Sequence, residues 1–396
     1  MSQLLGRSLV VLSAFLFLLS PPARSRAEAR GGDVFTIANV AVDATAATAA
    51  AARDKALSLA ERTAFQRLLA RLTLASDARR LPKVSDEALA DLTEGFEVQE
   101  EKHSAVRYIA TLTYRFKQQQ VEQLLRAADI AFAETPSKPV FVLAPLRPGD
   151  KLLLWEDTNP WRTAWAGLPP ADGLVPFVVP IGDLTDFAAI SAQDAASGDA
   201  AKLAALAQRY EAGSTLVSIA TIRTKPDGTP KLVELEAKRY VPGSEAQTTI
   251  ASIAAQKDEA LDALLQRAAQ QLESGIGEAW KADNLLHFDQ AQQALVTVPI
   301  AGLGDWLAVR GRLADVATIK RADLVFLSRS EAQLSLSFFG DPAQLKLALA
   351  QRDLILTEEG EGLVLRLAAS TSAGESGASA AGVAAGSETE RDITPR

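Results

Sequence analysis

Apolar and polar residues change their spacing several times along the chain, and each change marks a predicted helix or strand. From Ala52 to Leu72, apolar residues recur at three- and four-residue steps in an alanine-rich segment, which predicts a long helix with one buried face. Residues 108–114 alternate instead, which is typical of a half-buried strand. The first unit, residues 33–134, is therefore predicted to be an α+β domain with the order β-α-β-β-α. Its elements are a strand over 34–43, a helix from about Thr45 to Leu72, a hairpin of 95–101 and 105–116, and a helix over 118–131.

The middle segment, residues 138–284, combines short apolar runs with longer alternating stretches. The runs 140–145 and 174–180 are typical of strands that are buried on both faces of a parallel sheet. Asn159-Pro160 predicts a helix start, because asparagine caps a helix and proline fits its first position. Strands and helices first alternate and then give way to a meander, which predicts a mixed-sheet α/β sandwich. The remaining predicted elements are a helix over 199–210, strands over 214–223, 231–240 and 246–254, and a helix over 257–280.

Residues 289–368 show strand, helix, strand, strand, helix and strand patterns in that order. This β-α-β-β-α-β order predicts a ferredoxin-like unit. Its elements are 294–300, 304–314, 319–328, 332–339, 342–351 and 354–367, the last folded into a hairpin at 359–362. Residues 369–396 contain almost no bulky apolar side chain, so this tail is predicted to be disordered.

The first 29 residues have the pattern of a secretory signal peptide. Arg7 precedes an apolar run from Leu9 to Leu19, and Ala27-Glu28-Ala29 is a small-residue cleavage site. The run is shorter than the roughly 20 apolar residues that a membrane span needs. We therefore expect cleavage near Ala29, a periplasmic location and no stable membrane span. The alternative is that the segment stays uncleaved as a short membrane tether.

Composition excludes several kinds of chemistry. The chain has no cysteine, which excludes a thiol nucleophile, a disulfide and a Cys-ligated metal. Its two histidines, His103 and His287, leave little for a His-based triad or metal site, and no cofactor is expected. The formal net charge of −8 becomes −10 once the predicted signal, with three arginines and one glutamate, is removed. Such a field repels phosphate, so nucleic acid is not an expected partner.

Four segments of the first unit carry a family resemblance. They read VAVDATA at 40–46, ARDKAL at 52–57, AFQRLLARLT at 64–73 and YIATLTYRF at 108–116. The chain here resembles a family of exported proteobacterial envelope proteins, the domain-of-unknown-function family numbered two-thousand-and-sixty-six. The resemblance extends through Leu154-Trp155-Glu156-Asp157 and the segment from Trp161 to Trp165. Because this family has no assigned activity and no catalytic residues, the resemblance implies an exported protein and no particular reaction.

Three of the five tryptophans, Trp155, Trp161 and Trp165, fall within eleven residues. Trp161 and Trp165 are one helical turn apart and share a face of the predicted helix. With Glu156 and Asp157 nearby, they are candidates for an aromatic wall that binds a sugar ring or a partner peptide. The alternative is that they cover the edge of the middle sheet, since tryptophan contributes a large buried area wherever it packs.

A second candidate site lies where the first two strands of the middle segment end. Asp183 and Asp186 follow one strand and Arg147 follows the other, and ligands bind outside the carboxyl ends of strands in open α/β sheets. The two carboxylates and the arginine could form a polar site or an acid/base pair. The alternative is that Asp183 caps the next helix and Asp186 is solvated.

Three functions remain open from the sequence. The first is a non-enzymatic adaptor or assembly factor of the cell envelope that acts through contacts with envelope protein partners. The second is a periplasmic protein that binds a glycan or a small acid in the middle-domain crevice with Trp161, Trp165, Arg147 and Asp183. The third is a carboxylate-based hydrolase, which needs two acidic groups about 5–10 Å apart in a cleft.

Overall fold

The structure is a computed structural model that describes residues 33–170, 172–242, 244–286, 291–360 and 362–368. The chain divides into two compact units, one ending at Leu285 and the other beginning at Leu286. The signal peptide predicted over 1–29 and the disordered tail predicted over 369–396 lie outside the described residues. Among the helices within these residues, none combines the length and the apolar character that crossing a membrane requires.

The N-terminal part of the first unit is a three-stranded antiparallel sheet with a long helix across one face. The sheet order is β1-β3-β2, and the predicted β-α-β-β-α order is confirmed with one added helix, α2. The pattern missed α2 because its seven residues make only two turns, started by the Ser85 cap. The elements are β1 Thr36–Thr45, α1 Ala49–Leu72, α2 Asp86–Leu92, β2 Thr93–His103, β3 Arg107–Phe116 and α3 Gln118–Ala127.

Helix α1 packs on this sheet through a stripe of small side chains. Thr48 caps its start, since the threonine hydroxyl accepts a hydrogen bond from the backbone N–H of Ala51. Alanine at every fourth position lets the helix lie close to the strands. The inward face of β3 supplies Tyr108, Tyr114 and Phe116 to the same core. The buried residues of α1 are Ala52, Ala56, Ala60, Ala64, Phe65, Leu68, Leu69 and Leu72.

The middle part of the first unit is a five-stranded mixed sheet in the order β5-β4-β6-β7-β8. The strands β5, β4 and β6 are parallel, and β6, β7 and β8 are antiparallel, which confirms the predicted mixed-sheet α/β sandwich. The elements are β4 Val140–Leu143, α4 Pro160–Ala166, β5 Phe177–Val178, α5 Leu184–Ala189, α6 Ala192–Ser197, α7 Ala200–Arg209, β6 Ser214–Thr224, β7 Pro230–Tyr240, β8 Gln247–Ala254 and α8 Leu261–Asp283.

The structure shortens one predicted strand and adds two helices to this part. The strand predicted over 174–180 is reduced to the two residues of β5. Pro176 and Pro180 flank it and have no N–H with which to continue the ladder. The short helices α5 and α6 follow, each begun by a capping box at Asp183 and Ser191.

Helix α8 joins the two sheets of the first unit. The Lys281 ammonium donates hydrogen bonds to the carbonyls of Ala70 and Thr73 at the C-terminal end of α1, the first at 2.9 Å. Trp280 Nε1 donates to the carbonyl of Thr135 at 2.8 Å, in the segment between α3 and β4. The carbonyls at the end of α1 that lack a partner within the helix therefore accept hydrogen bonds from Lys281, which lies more than two hundred positions further along the chain.

The second unit has the predicted ferredoxin-like organisation with one strand added. Its sheet order is β10-β11-β9-β13-β12, and the core lies between this sheet and the two helices. The predicted hairpin is confirmed: β13 folds back against β12 and lies parallel to β9, so that it separates β9 from β12. The elements are β9 Ala291–Pro299, α9 Leu303–Ala314, β10 Ile319–Leu327, β11 Glu331–Phe339, α10 Pro342–Gln351, β12 Leu354–Glu359 and β13 Gly362–Leu367.

Candidate functional site

The three clustered tryptophans are core side chains. Trp155, Trp161 and Trp165 are all buried. Trp155 Nε1 donates to the carbonyl of Ile190 at 2.9 Å, and Trp161 Nε1 donates to the carbonyl of Ser218 on β6 at 2.8 Å. Because the rings pack under loops and against the sheet, they do not form the open aromatic wall considered from the sequence.

The start of α4 positions Trp161 and Trp165. Asn159 is buried, and its Oδ1 accepts hydrogen bonds from the backbone N–H groups of Trp161 and Arg162. Its Nδ2 donates to the carbonyls of Ala144, Leu153 and Leu154, which ties the helix to the chain that leaves β4. The helix start predicted from Asn159-Pro160 is therefore present, and it is anchored by tertiary contacts.

Asp183 and Asp186 belong to an ion-paired cluster with Arg209 and Tyr210. Asp183 caps α5, and its second oxygen accepts from Arg209 Nη2 at 2.9 Å. Asp186 is 0% exposed and accepts from Arg209 Nη1 at 2.6 Å and from the Tyr210 hydroxyl at 2.7 Å. The capping alternative for Asp183 agrees with this geometry, whereas Asp186 is buried rather than solvated.

The hydrogen bonds and burial within this cluster favour ionised Asp183, protonated Tyr210 and charged Arg209. Hydrogen bonds from the backbone N–H of Asp186 and from Arg209 lower the pKa of Asp183 below its ordinary value. Burial, with the nearby Asp186 carboxylate, raises the pKa of Tyr210 to about 12. The hydrogen bond to Asp183 raises the pKa of the Arg209 guanidinium. Both carboxylates are engaged by protein donors, so this arrangement organises the loop after β5.

Arg147 lies on another surface of the same sheet. After β4 the chain runs alongside β6, where the backbone N–H of Arg147 donates to the carbonyl of Ala220 at 2.8 Å. The side chain lines a concavity of about 560 Å³ together with Glu234 and Glu236 of β7. Neither Asp183 nor Asp186 lines that concavity, so the structure separates the three polar residues that the sequence suggested as one site.

A second concavity, of about 620 Å³, lies beside the edge strand β5, and we call it the β5 groove. Trp165 lines it, and Glu273 of α8 contributes a carboxyl group whose pKa is raised by burial. Two buried donor atoms of lining residues, Trp165 Nε1 and Arg162 Nη1, have no hydrogen-bond partner within the described residues. The lining residues are Arg162, Thr163, Trp165, Ala166, Leu168, Pro169, Pro170, Phe177, Val179, Pro180, Ile181 and Glu273.

Apolar side chains next to this groove are open to solvent. Ile181 is 79% exposed, Leu184 is 88% exposed and Phe187 is 51% exposed, and we call these three residues the α5 patch. Ile181 also lines the β5 groove, and the ring of Phe187 lies 5.8 Å from that of Trp155. Gly182, with φ +72°, lets the chain turn between Ile181 and α5, where any side chain would collide with the Arg162 guanidinium.

Sequence reasoning missed most of the residues that line this region. Ile181, Leu184 and Phe187 are spaced three apart, which is a signal for one face of a helix. Arg162 lies on the predicted helix, but nothing in its sequence context indicates that it lines a groove. Glu273 comes from α8, about ninety positions further along, and only the fold brings it to the groove.

Neither a metal site nor a similarity to known proteins identifies the function of this region. Within the described ranges, no three His, Asp or Glu side chains gather as a metal site would require. Comparison with protein families and with curated proteins finds no match. Among solved structures, the chain is similar to a formyltetrahydrofolate deformylase from Burkholderia mallei ATCC 23344 at 10% identity and a TM-score of 0.19. The match covers 63% of this chain and 96% of that chain, and a likeness this weak supports no conclusion about fold or function.

Proposed function

We propose that this chain is an exported, periplasmic envelope protein that acts without catalysis, as an adaptor or assembly factor, and binds a partner protein at the β5 groove and the α5 patch. The observation that carries the proposal is the exposure of Ile181, Leu184 and Phe187 beside a groove of apolar lining. Exposed apolar side chains that cluster on a folded surface are typical of protein interaction sites.

The groove itself suits a stretch of polypeptide. Its walls combine the ring of Phe177 with Pro169, Pro170 and Pro180, which are rigid apolar surfaces, and the buried ring of Trp165 lies behind them against Phe177. Arg162 adds a cationic side chain with several N–H donors to this lining, and the backbone carbonyls of an extended peptide are acceptors for such donors.

The first 29 residues support the periplasmic location, because their pattern is that of a secretory signal peptide. The acidic net charge is unfavourable for nucleic acid, which leaves envelope proteins as the proposed partners. The resemblance of the first unit to an exported proteobacterial family points to the same compartment.

The first prediction places a photo-crosslinking amino acid at Leu184 in the living cell. We expect one reproducible envelope protein to be captured there, and Leu184→Asp to abolish capture from a crosslinker at Phe187, because a charge in the patch disfavours apolar burial. The measurement is mass spectrometry of the crosslinked envelope fraction. Since Leu184 is almost fully exposed, the variant is expected to change the free energy of unfolding by no more than about 0.5 kcal/mol.

Ile250 on β8 provides the matched control, because it is 80% exposed and lies outside the β5 groove. The same proteins captured from Ile250 and Leu184, or capture that survives Leu184→Asp, would contradict the proposal. No capture above background at Leu184 would contradict it as well.

A second candidate function is the binding of a small acid, which the guanidinium group of Arg162 in the lining of the β5 groove favours. A carboxylate in the groove could pair with this cation. This residue set differs from the one suggested by the sequence, since Trp161, Arg147 and Asp183 lie elsewhere. Protein binding is the function we favour, because the exposed apolar side chains of the α5 patch adjoin the groove and a small acid would not use them.

A further inference from the structure

A third concavity lies between α8 and the end of the mixed sheet, on the first unit but outside the β5 groove. Its volume is about 420 Å³, within the range of small-molecule sites. Leu235 of β7 and Ile253 of β8 form part of its floor, and Leu272, Gly275 and Ala279 of α8 form one wall. We call it the α8 groove.

The α8 groove has room beside the helix. A Cβ atom added to Gly275 would meet no atom within 4 Å, so the helix has no side chain there to fill the space. Ala279, one turn further on, is also small and also lines the groove. The groove therefore has open space along α8 that a slender apolar chain could occupy, and its lining also includes the uncharged polar residues Gln247, Thr249, Ser252 and Gln271.

One end of the groove carries a cationic side chain with unused donors. Arg239 of β7 lines the groove, and its Nε donates to the Ser214 hydroxyl at 3.2 Å. Within the described residues, its two Nη nitrogens have no hydrogen-bond or ion-pair partner. Burial lowers the pKa of this guanidinium, and the charge of Asp283, one turn after Ala279, opposes that effect through space. An anionic group at this end would pair with a partly desolvated cation.

The backbone around the groove argues against a peptide as its occupant. The strand β7 is paired on both sides, with β6 and β8, and the α8 backbone forms its own helical hydrogen bonds, whereas the edge strand β8 is paired with β7 alone within the described residues. Peptide groups laid on this floor would be buried without partners, which is costly, whereas an acyl chain has no such groups. Arg239 is the one charged residue among the described residues that line the groove, and together with the aliphatic residues of β7, β8 and α8 it matches an aliphatic chain with a carboxylate at one end.

We propose that the α8 groove binds a single-chain carboxylate amphiphile, a long-chain fatty acid, with its chain along α8 and its carboxylate on Arg239. Within the part of the chain that the structure describes, this site has no lining residue in common with the β5 groove, so the proposal of fatty-acid binding can be tested independently of the proposed adaptor function. It would give the protein a means to respond to the lipid state of its compartment.

The second prediction uses the purified full chain with 11-(dansylamino)undecanoic acid as a fluorescent probe, displaced by hexadecanoate or hexadecanol. Gly275→Leu should weaken probe binding about tenfold or more, because its side chain fills the groove. Gly277→Leu is the matched control: it makes the same change in the same helix, but Gly277 lines another concavity and also has open space around it. Both variants replace a helix glycine with a better helix former, so both should fold, which thermal unfolding checks.

The head group is tested by Arg239→Gln, with Lys238→Gln on the opposite face of β7 as the control for net charge. Arg239→Gln should weaken hexadecanoate binding about tenfold and leave hexadecanol unchanged, since only the carboxylate uses the guanidinium. Equal binding by Gly275→Leu and Gly277→Leu would overturn the proposal. Equal losses of hexadecanoate and hexadecanol binding in Arg239→Gln would also overturn it. The failure of hexadecanoate to displace the probe would overturn it as well, and would point to a protein segment as the occupant of the groove.

Discussion

Glu134 is a carboxyl group buried in the segment between α3 and β4. Its Oε2 has no hydrogen-bond partner within the described residues. Burial, reinforced by the facing Glu122, raises the pKa of Glu134 to about 8, while Arg126 and Gln118 oppose the rise. The protonated form is therefore the one that the fold accommodates, and deprotonation leaves a negative charge in the core.

The third prediction follows from the sign of that shift. In the unfolded chain Glu134 titrates near 4.5, so the unfolded state loses its proton first as the pH rises. The contribution of Glu134 to the free energy of unfolding has its largest value below about pH 4.5. It decreases between pH 4.5 and pH 8 and stays at its lowest value above about pH 8. Glu134→Gln should remove this loss and make the variant more stable than the wild type at pH 8.

Urea unfolding at pH 5 and pH 8 measures this effect, with the exposed Glu245→Gln as a control that should follow the wild type. We expect the wild type to lose on the order of several kcal/mol more than Glu134→Gln between these two pH values. Parallel pH profiles for the wild type and Glu134→Gln would show that Glu134 is ionised in the folded protein.

At the scale of elements, the short helix α5 illustrates how tertiary contacts maintain what propensity alone would not. It has six residues, and helices this short are unstable in isolation. The capping box at Asp183 and the pairing of Asp186 with Arg209 and Tyr210 hold it against α7. The α5 patch is exposed because the polar side of this helix is the buried one.

The fourth prediction compares the two aspartates of α5. Asp186→Asn should lower the free energy of unfolding by about 1–3 kcal/mol, because the fully buried position loses its charged hydrogen bonds to Arg209 and Tyr210. Asp183→Asn should cost less than about 1 kcal/mol, since asparagine is also a good helix cap. Chemical denaturation of the two variants tests the difference. An equal or larger cost for Asp183→Asn would indicate that the capping box and not the buried pair maintains the loop.

On the scale of the whole molecule, α8 has several roles in the first unit. It supplies Glu273 to the β5 groove, Gly275 and Ala279 to the α8 groove, and Lys281 to the end of α1. The two grooves are therefore built on one helix, and that helix holds the two sheets together.

The fifth prediction concerns this junction. Lys281→Met should lower the free energy of unfolding by about 1–3 kcal/mol, because the carbonyls of Ala70 and Thr73 lose a buried charged donor. Lys257→Met, at an exposed position before α8, is the control and should change stability little. Thermal unfolding followed by circular dichroism provides the measurement. A stability change in Lys281→Met no larger than in the control would mean that water satisfies those carbonyls.

Local sequence pattern by itself determined the order of the longer helices and strands in all three segments. The alternation of Tyr108 to Tyr114, the alanine stripe of α1 and the cap at Asn159 each report the two faces or the start of a single element. These signals are local, so they need no knowledge of the fold. They failed where an element is short, as for α2 and α5, and where prolines interrupt a run, as for β5.

Only the tertiary structure decided which of the candidate residues meet. Trp155, Trp161 and Trp165 were candidates from the sequence either for a binding surface or for covering the middle sheet, and the structure buries all three. Arg147 and Asp183 follow neighbouring parallel strands, but the path of the chain after β4 separates them. Glu273 and Ile181 are far apart in the sequence and line one groove. Periodicity determines which face of an element is apolar, whereas the packing of distant elements determines whether that face is covered, and the exposed surfaces that remain are where we place function.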